Sequence, residues 1–341
     1  MNRTQKPGYI LTLALALIAL CMFISSYVFN RALVFDRLSS TMISREKSRV
    51  LAYGGIQLAM SQLAATAQEE KQPNPDAKEK APSDGQQLLK AILPVFQKTQ
   101  KYQLKQSIEG IDATLILVLN SEEGKININR LYDFNKHTFV GEGQPNGDMK
   151  VMFKELFGLM SQKMKVDLFE DFEKFLKDKK YPLNDVTELL TIKSFEIFKN
   201  NVFFNPTVPG LQDKIFLTDI FTVSSSKKEI DPWLLSHSIK VLLQLNLAAN
   251  PEELIKNFKE QADWKNDWNK IFAPIYGREF TSLPKTFATL LNPQFAPKIF
   301  TVLCQATVAN VPVSTFAVFE RIKATGKDTL PAITIRNVYL M

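Results

Sequence analysis

The chain predicts an α+β fold carried on a single N-terminal membrane-spanning helix, and three features of its 341 residues support that expectation. Residues 9–29 form an uncharged run of 21. At about 1.5 Å per residue this run reaches roughly 30 Å as a helix, the thickness of a bilayer's hydrocarbon core. It passes without a breaker into residues 31–67, which hold no proline and only Gly54 and Gly55. There Ile56, Ala59, Met60, Leu63 and Ala67 recur at the spacing of an amphipathic helix. Finally, segments rich in β-branched residues lie on both sides of a helical middle, so early and late strands can close one antiparallel sheet around an insertion. That sheet would pack on the part of the long helix that leaves the membrane.

Each segment has its own local reason. Residues 1–8 are a short basic leader, and 9–67 are the spanning and projecting helix. Residues 68–87, with Pro73, Pro75, Pro82 and Gly85 among Glu, Lys and Asp, read as a mobile loop. In the first α/β segment, 88–130, residues 88–97 form a short apolar piece, and 102–107 with 111–119 read as a hairpin turned at Glu109 and Gly110. Glu122, Glu123 and Gly124 then turn the chain before Ile126 and Ile128, which point to one face. Residues 131–297 are a helical insertion, with helices expected at 151–160, 166–175, 185–192, 233–245 and 251–264. Asp185 and Glu188 make a capping box, and Asn250 caps a helix with Pro251 in its first position. In the last segment, 298–341, strands are expected at 299–308 and 311–322 around Ala309 and Asn310, and at 333–339 after Pro331.

Composition excludes several function classes. The 42 Lys and Arg are dispersed among 35 Asp and Glu, with no basic run interleaved with stacking aromatics, so the net charge of +7 belongs to a solvated surface and no nucleic acid is expected. Cys21 lies in the span and Cys304 near the C-terminus, so no intrachain disulfide is expected. His137 and His237 sit in no metal-binding or triad-like motif, and no glycine cluster makes a phosphate loop; the chain reads as a non-enzyme. Asp167, Glu170, Asp171 and Glu173 read as the solvated face of a helix, and Trp233, Trp264 and Trp268 as core.

The leader carries Arg3 and Lys6 and ends in Gly8, directly before Tyr9 and the span. It resembles the class III signal of type IV pilins and type II secretion pseudopilins. In those families a prepilin peptidase cuts after the glycine and methylates the new N-terminus, which implies cleavage at Gly8 and a methylated Tyr9 here. The fifth mature residue would be Leu13, where most members have glutamate. The K-type minor pseudopilin characteristically lacks that glutamate, as suits a tip position with no subunit above it. Residues 121–129, SEEGKININ, resemble the K-type motif GKINLN, and residues 185–192, DVTELLTI, are similar to its VEELLLV helix. Residues 221–232, FTVSSSKKEIDP, resemble the second K-type motif, LTVxSSGKINVNTAP, but with the asparagines gone and Ile230, Asp231 and Pro232 kept.

The resemblance implies a pilin-like sheet, an inner-membrane anchor with a periplasmic domain, and partners in the I-type and J-type minor pseudopilins, the major pseudopilin and the prepilin peptidase. It also implies calcium as a cofactor, for which no residue of this sequence can be assigned. The positive-inside rule opposes that orientation, because Arg31, Arg37, Arg45, Lys47 and Arg49 follow the span against Arg3 and Lys6 before it. Long domains, however, translocate largely regardless of such charges. Two other functions stay open at this point: a type IV pilus minor pilin, and an uncleaved membrane-anchored scaffold or receptor with an extracytoplasmic domain.

Overall fold

A computed structural model describes residues 7–65, 84–144, 147–206, 208–225, 227–247, 251–258, 267–292, 294–295, 297–322 and 332–340. Its first element, α1 (Pro7–Ala65), is one unbroken helix of 59 residues, long and apolar enough to cross a membrane. Its character changes along its length. Leu11 through Val50 present exposed apolar side chains, whereas Ser48, Ala52, Ile56, Ala59 and Leu63 form a buried stripe. That stripe matches the expected spacing at Ile56, Ala59 and Leu63. Ala67 and the leader residues 1–6 lie outside the described residues.

The expected loop at 68–87 ends earlier than its composition suggests. Its residues 68–83 lie outside the described set, but Asp84 already belongs to α2 (Asp84–Ile92), whose Leu88, Leu89 and Ile92 enter the core. The first hairpin pairs β1 (Thr99–Leu104) with β2 (Ala113–Ser121) in antiparallel register. Its strand stops at Leu104 rather than Ser107 because Lys105 N donates to the Glu109 carboxylate and Gln106 N to that of Asp112. These bonds wind the single helical turn α3 (Gln106–Glu109), closed by Gly110 at φ 73°. After the turn at Glu122–Gly124, β3 (Ile126–Asn127) lasts two residues and the chain coils into α4 (Ile128–Leu131). Ile126 and Ile128 are both fully buried, although only Ile126 is in a strand.

The helical part follows. A small ribbon of β4 (Tyr132–Asp133) and β5 (Thr138–Phe139) leads to α5 (Met149–Met164), capped by the Asp148 carboxylate, and α6 (Phe169–Asp178). Asp167 accepts from Phe169 N, which sets the start of α6 three residues later than the periodicity suggests. The Asp185–Glu188 capping box is present, but the turn it opens, Val186–Thr191, is a 3-10 helix. Then come α7 (Leu217–Ile220), β6 (Phe221–Thr222), α8 (His237–Leu242), α9 (Pro251–Asn257), α10 (Trp268–Tyr276) and α11 (Lys285–Ala288). The single helix expected at 233–245 is divided in two: Asp231 caps a 3-10 turn at Pro232–Leu234, and Ser236 caps α8 afresh by accepting from Ile239 N. Asn250 and Trp264 fall outside the described residues. Trp233 and Trp268 are core, as expected, and the rings of Phe153, Phe157, Phe172, Phe195 and Phe221 pack against one another, Phe157 and Phe172 at 4.9 Å.

The chain returns in β7 (Ile299–Val308), β8 (Val311–Ile322) and β9 (Ala332–Leu340), completing a five-stranded antiparallel sheet in the order β1-β2-β7-β8-β9. Ala309 and Asn310 have φ of 47° and 63°, the pair of left-handed residues that a tight two-residue turn demands. The fold is therefore α+β with the expected interrupted sheet. The sheet lies on the inner stripe of α1. Ser48 ties the two together, its hydroxyl donating to Val311 O at 2.7 Å and accepting from Val308 N at 3.0 Å. At the closest approach a Cβ on Gly55 would lie 2.5 Å from Cys304 Sγ and 3.0 Å from Leu115 and Leu117, so any larger residue must push these side chains aside. One hydrophobic core runs from α1 through the sheet into the helical part.

Candidate functional site

The two sequence motifs at 121–129 and 221–232, a hundred residues apart, meet in the fold and form the joint between sheet and helical part. Their strands β3 and β6 pair in parallel, Ile126 with Phe221 and Asn127 with Thr222. Parallel pairing needs a long crossover, and the intervening helical segment supplies it.

Polar groups fill the joint to an unusual degree. Glu122, Glu123, Lys125, Asn127, Thr222, Ser225 and Asp231 are all buried. Lys125 and Glu122 form a buried ion pair, and the Thr222 hydroxyl donates to the second Glu122 oxygen, linking the two motifs. The Asn127 side chain donates to the carbonyls of Ser225 and Lys227, holding the second motif's loop. Asn129, the motif's other asparagine, both donates to Leu183 O at 2.8 Å and accepts from Leu183 N at 2.9 Å, which fastens the approach to the capping box. Asp231 N donates to Glu123 O at 2.7 Å, and Ser236 N to Gly124 O at 3.1 Å. The asparagines absent from the second motif are thus not needed to close this joint: Asp231 caps Trp233 N at 2.9 Å and main-chain bonds do the rest.

Electrostatics follow from burial. Glu123 accepts from Lys298 N and Ile299 N at 3.0 Å and from the Ser121 hydroxyl, yet desolvation outweighs these bonds and pushes its carboxyl up to about 7. Asp231 is pushed up to about 8, first by burial and then by the charge of Glu123.

A second polar tie lies beside the first. Gln97, at φ 54°, donates to Leu235 O and accepts from the Lys240 ammonium at 2.7 Å. Burial draws the Lys240 amine down to about 8 against the opposing charge of Asp219. Asp219 accepts from Ser238 N at 2.7 Å, and its Oδ1 has no hydrogen-bond partner among the described residues. This tie gathers Asp219, Ser236, His237 and Ser238, the residue types of a nucleophilic triad. Ser236 Oγ donates to Asp219 O, and Ser238 Oγ accepts from Phe216 N. His237 stacks near Phe204 and meets Leu211 O at 3.0 Å, and its imidazole is drawn below its ordinary range by burial. Sequence reasoning missed this tie, although a lysine inside the apolar run WLLSHSIKVLLQL was its signal.

The remaining expected sites fall as follows. Gly8 and Tyr9 lie in the first turns of α1, and Leu13 is exposed on it together with Leu11, Leu15, Leu17 and Ile18. His137 stands in an exposed turn. Asp167, Glu170 and Asp171 are exposed as a solvated face, while Glu173 pairs with Lys150 at 2.8 Å and Lys177 at 2.7 Å. A calcium ion needs several converging oxygens. Among the described residues no three His, Cys, Asp or Glu side chains converge on one point, and the carboxylates of the joint are engaged by protein donors.

No protein-family model and no curated protein matches the chain. Among solved structures it is similar to a chain of the GspK-GspI-GspJ complex from the type 2 secretion system of enterotoxigenic Escherichia coli, with a TM-score of 0.49 and 10% identity, over 89% of this chain and 99% of that one.

Proposed function

We propose that the chain is a K-type minor pseudopilin of a type II secretion machine, acting without catalysis at the tip of the pseudopilus to initiate its assembly and aid export across the outer membrane. The observation that carries this reading is the continuity of α1: one helix runs from an apolar, membrane-length segment directly onto a five-stranded antiparallel sheet. The order of the sequence motifs supports it further. In this reading prepilin peptidase removes residues 1–8 after Gly8, Tyr9 becomes the methylated N-terminus, and the anchor stays in the inner membrane with the main domain in the periplasm. The I-type and J-type minor pseudopilins and the major pseudopilin are its partners, and calcium is the cofactor the resemblance implies.

Leu13 gives the tip position a physical reason. A buried glutamate at that place in a filament can pair with a neighbour's terminal amine, and a leucine leaves an amine without its carboxylate in an apolar setting. At the tip that defect occurs once. Crosslinks from α1 in intact machines test the arrangement: single contacts to other minor subunits are expected, and repeated self-contacts along the filament overturn the tip position.

A further inference from the structure

The joint buries two carboxyl side chains that come from different parts of the fold. Glu123 comes from the turn after β2, and Asp231 from the second motif in the helical part. Both are at least nine-tenths buried, and the main chains that carry them are joined by the bond from Asp231 N to Glu123 O. We propose that this joint is a proton-dependent clasp, closed while Glu123 and Asp231 do not both carry charge and loosened locally when the second of them ionises.

The charges around the pair decide whether such a clasp can work. On its own turn Glu123 is next to Glu122, which is already neutralised by Lys125. Among the described residues the sheet gives the Glu123 carboxylate the Ser121 hydroxyl and the amides of Lys298 and Ile299. Among the described residues the helical part presents Asp231, the attraction of Lys227, and Tyr276, whose hydroxyl donates to Pro232 O and which burial holds neutral. No ion pair to either carboxylate occurs among the described residues, so burial dominates at both and the charge of Glu123 adds to it at Asp231, in keeping with the raised values near 7 and 8. The neutral form also has a place for its proton. Protonated Glu123 Oε2 can donate to Ser121 Oγ, which in turn donates to Ile299 O at 3.4 Å, while Oε1 keeps its two amide donors.

The sign follows from linkage. Both carboxyls are raised above their unfolded values, so the closed joint is favoured at low pH and weakened as pH rises through the raised values. Each proton that the open joint releases and the closed one keeps costs up to about tenfold in the closing equilibrium per pH unit. The inference rests on the joint's geometry and is independent of the secretion reading.

Amide hydrogen exchange on the full chain in detergent tests it, read as protection of Lys298, Ile299 and Asp231 relative to Val302 within β7. The wild-type ratio should fall by about tenfold or more between about pH 6 and about pH 9, and Glu123→Gln and Asp231→Asn should each flatten the fall. An unchanging wild-type ratio, or the same fall in both variants, overturns the clasp. Should the variants fail to fold, carboxyl-carbon NMR of wild-type Glu123 decides: titration near 7 supports the proposal, and titration at the ordinary glutamate value of 4.5 overturns it.

Discussion

Gly124 lies against the main chain of Leu234 so closely that a Cβ on it would sit 1.7 Å from the Leu234 carbonyl oxygen and 2.6 Å from the carbonyl carbon. The obstacle is backbone, which cannot swing aside as a side chain can. This contact locates the joint at one atom pair and explains why the turn of the first motif holds glycine.

Gly124→Ala should therefore separate the two motifs and destabilise the fold by about 3 kcal/mol or more, in the class of severe backbone clashes. Denaturant unfolding measures the loss. A change below about 0.5 kcal/mol would mean that the joint is not packed as described.

The Lys125–Glu122 pair gives a test of a different kind. Lys125→Met leaves the Glu122 carboxylate buried with only the Thr222 hydroxyl, and should cost about 3–5 kcal/mol. Adding Glu122→Gln removes the stranded charge, so the double variant should be more stable than Lys125→Met alone. Strict additivity of the two losses in a double-mutant cycle would contradict the buried pair.

Where α1 meets the sheet, Gly55→Ala places a methyl against Cys304 Sγ and should cost about 1–3 kcal/mol by overpacking. Cys304→Ala in the same chain should return part of that loss, because it removes the nearest of the three obstructing atoms. Equal losses with and without Cys304→Ala would place the helix elsewhere on the strands.

Lys240 predicts a pH dependence. Its folded-state value, about 8, lies below the 10.5 of the unfolded chain, so between these the unfolded state holds the extra proton and stability rises with pH. Below about 8 the buried ammonium is a standing cost that Gln97 and Asp219 only partly offset. Lys240→Met should abolish the rise, as read from melting temperatures across that window. An unaltered rise would assign it to another group.

Much of the fold was legible because local chemistry and tertiary packing agree there. The strands β7 and β8 begin and end where the β-branched runs do, and the turn at Ala309 and Asn310 separates them. The α1 stripe at Ile56, Ala59 and Leu63 and the Asp185–Glu188 box were likewise readable. Errors arose where a side chain redirects the backbone. Ser236 starts a new helix inside an apolar run, Asp167 delays α6, and Asp112 and Glu109 wind a helical turn into the first hairpin. The helix α10, with Pro274 inside it, was not expected at all. The joint was half legible: both motifs were visible, but that they pair in parallel, and that Gln97 and Lys240 form a second tie beside them, depends on contacts about a hundred residues apart or more. Because one core spans sheet and helical part, removing residues 131–297 would expose it rather than release a free-standing sheet.

The central claim, that this is a processed pseudopilin subunit, is tested most directly by mass spectrometry of the N-terminus purified from membranes of cells with an active prepilin peptidase. A processed subunit begins at N-methylated Tyr9, and a Gly8→Val chain keeps its leader. Wild-type protein that retains Met1 through Gly8 would contradict it.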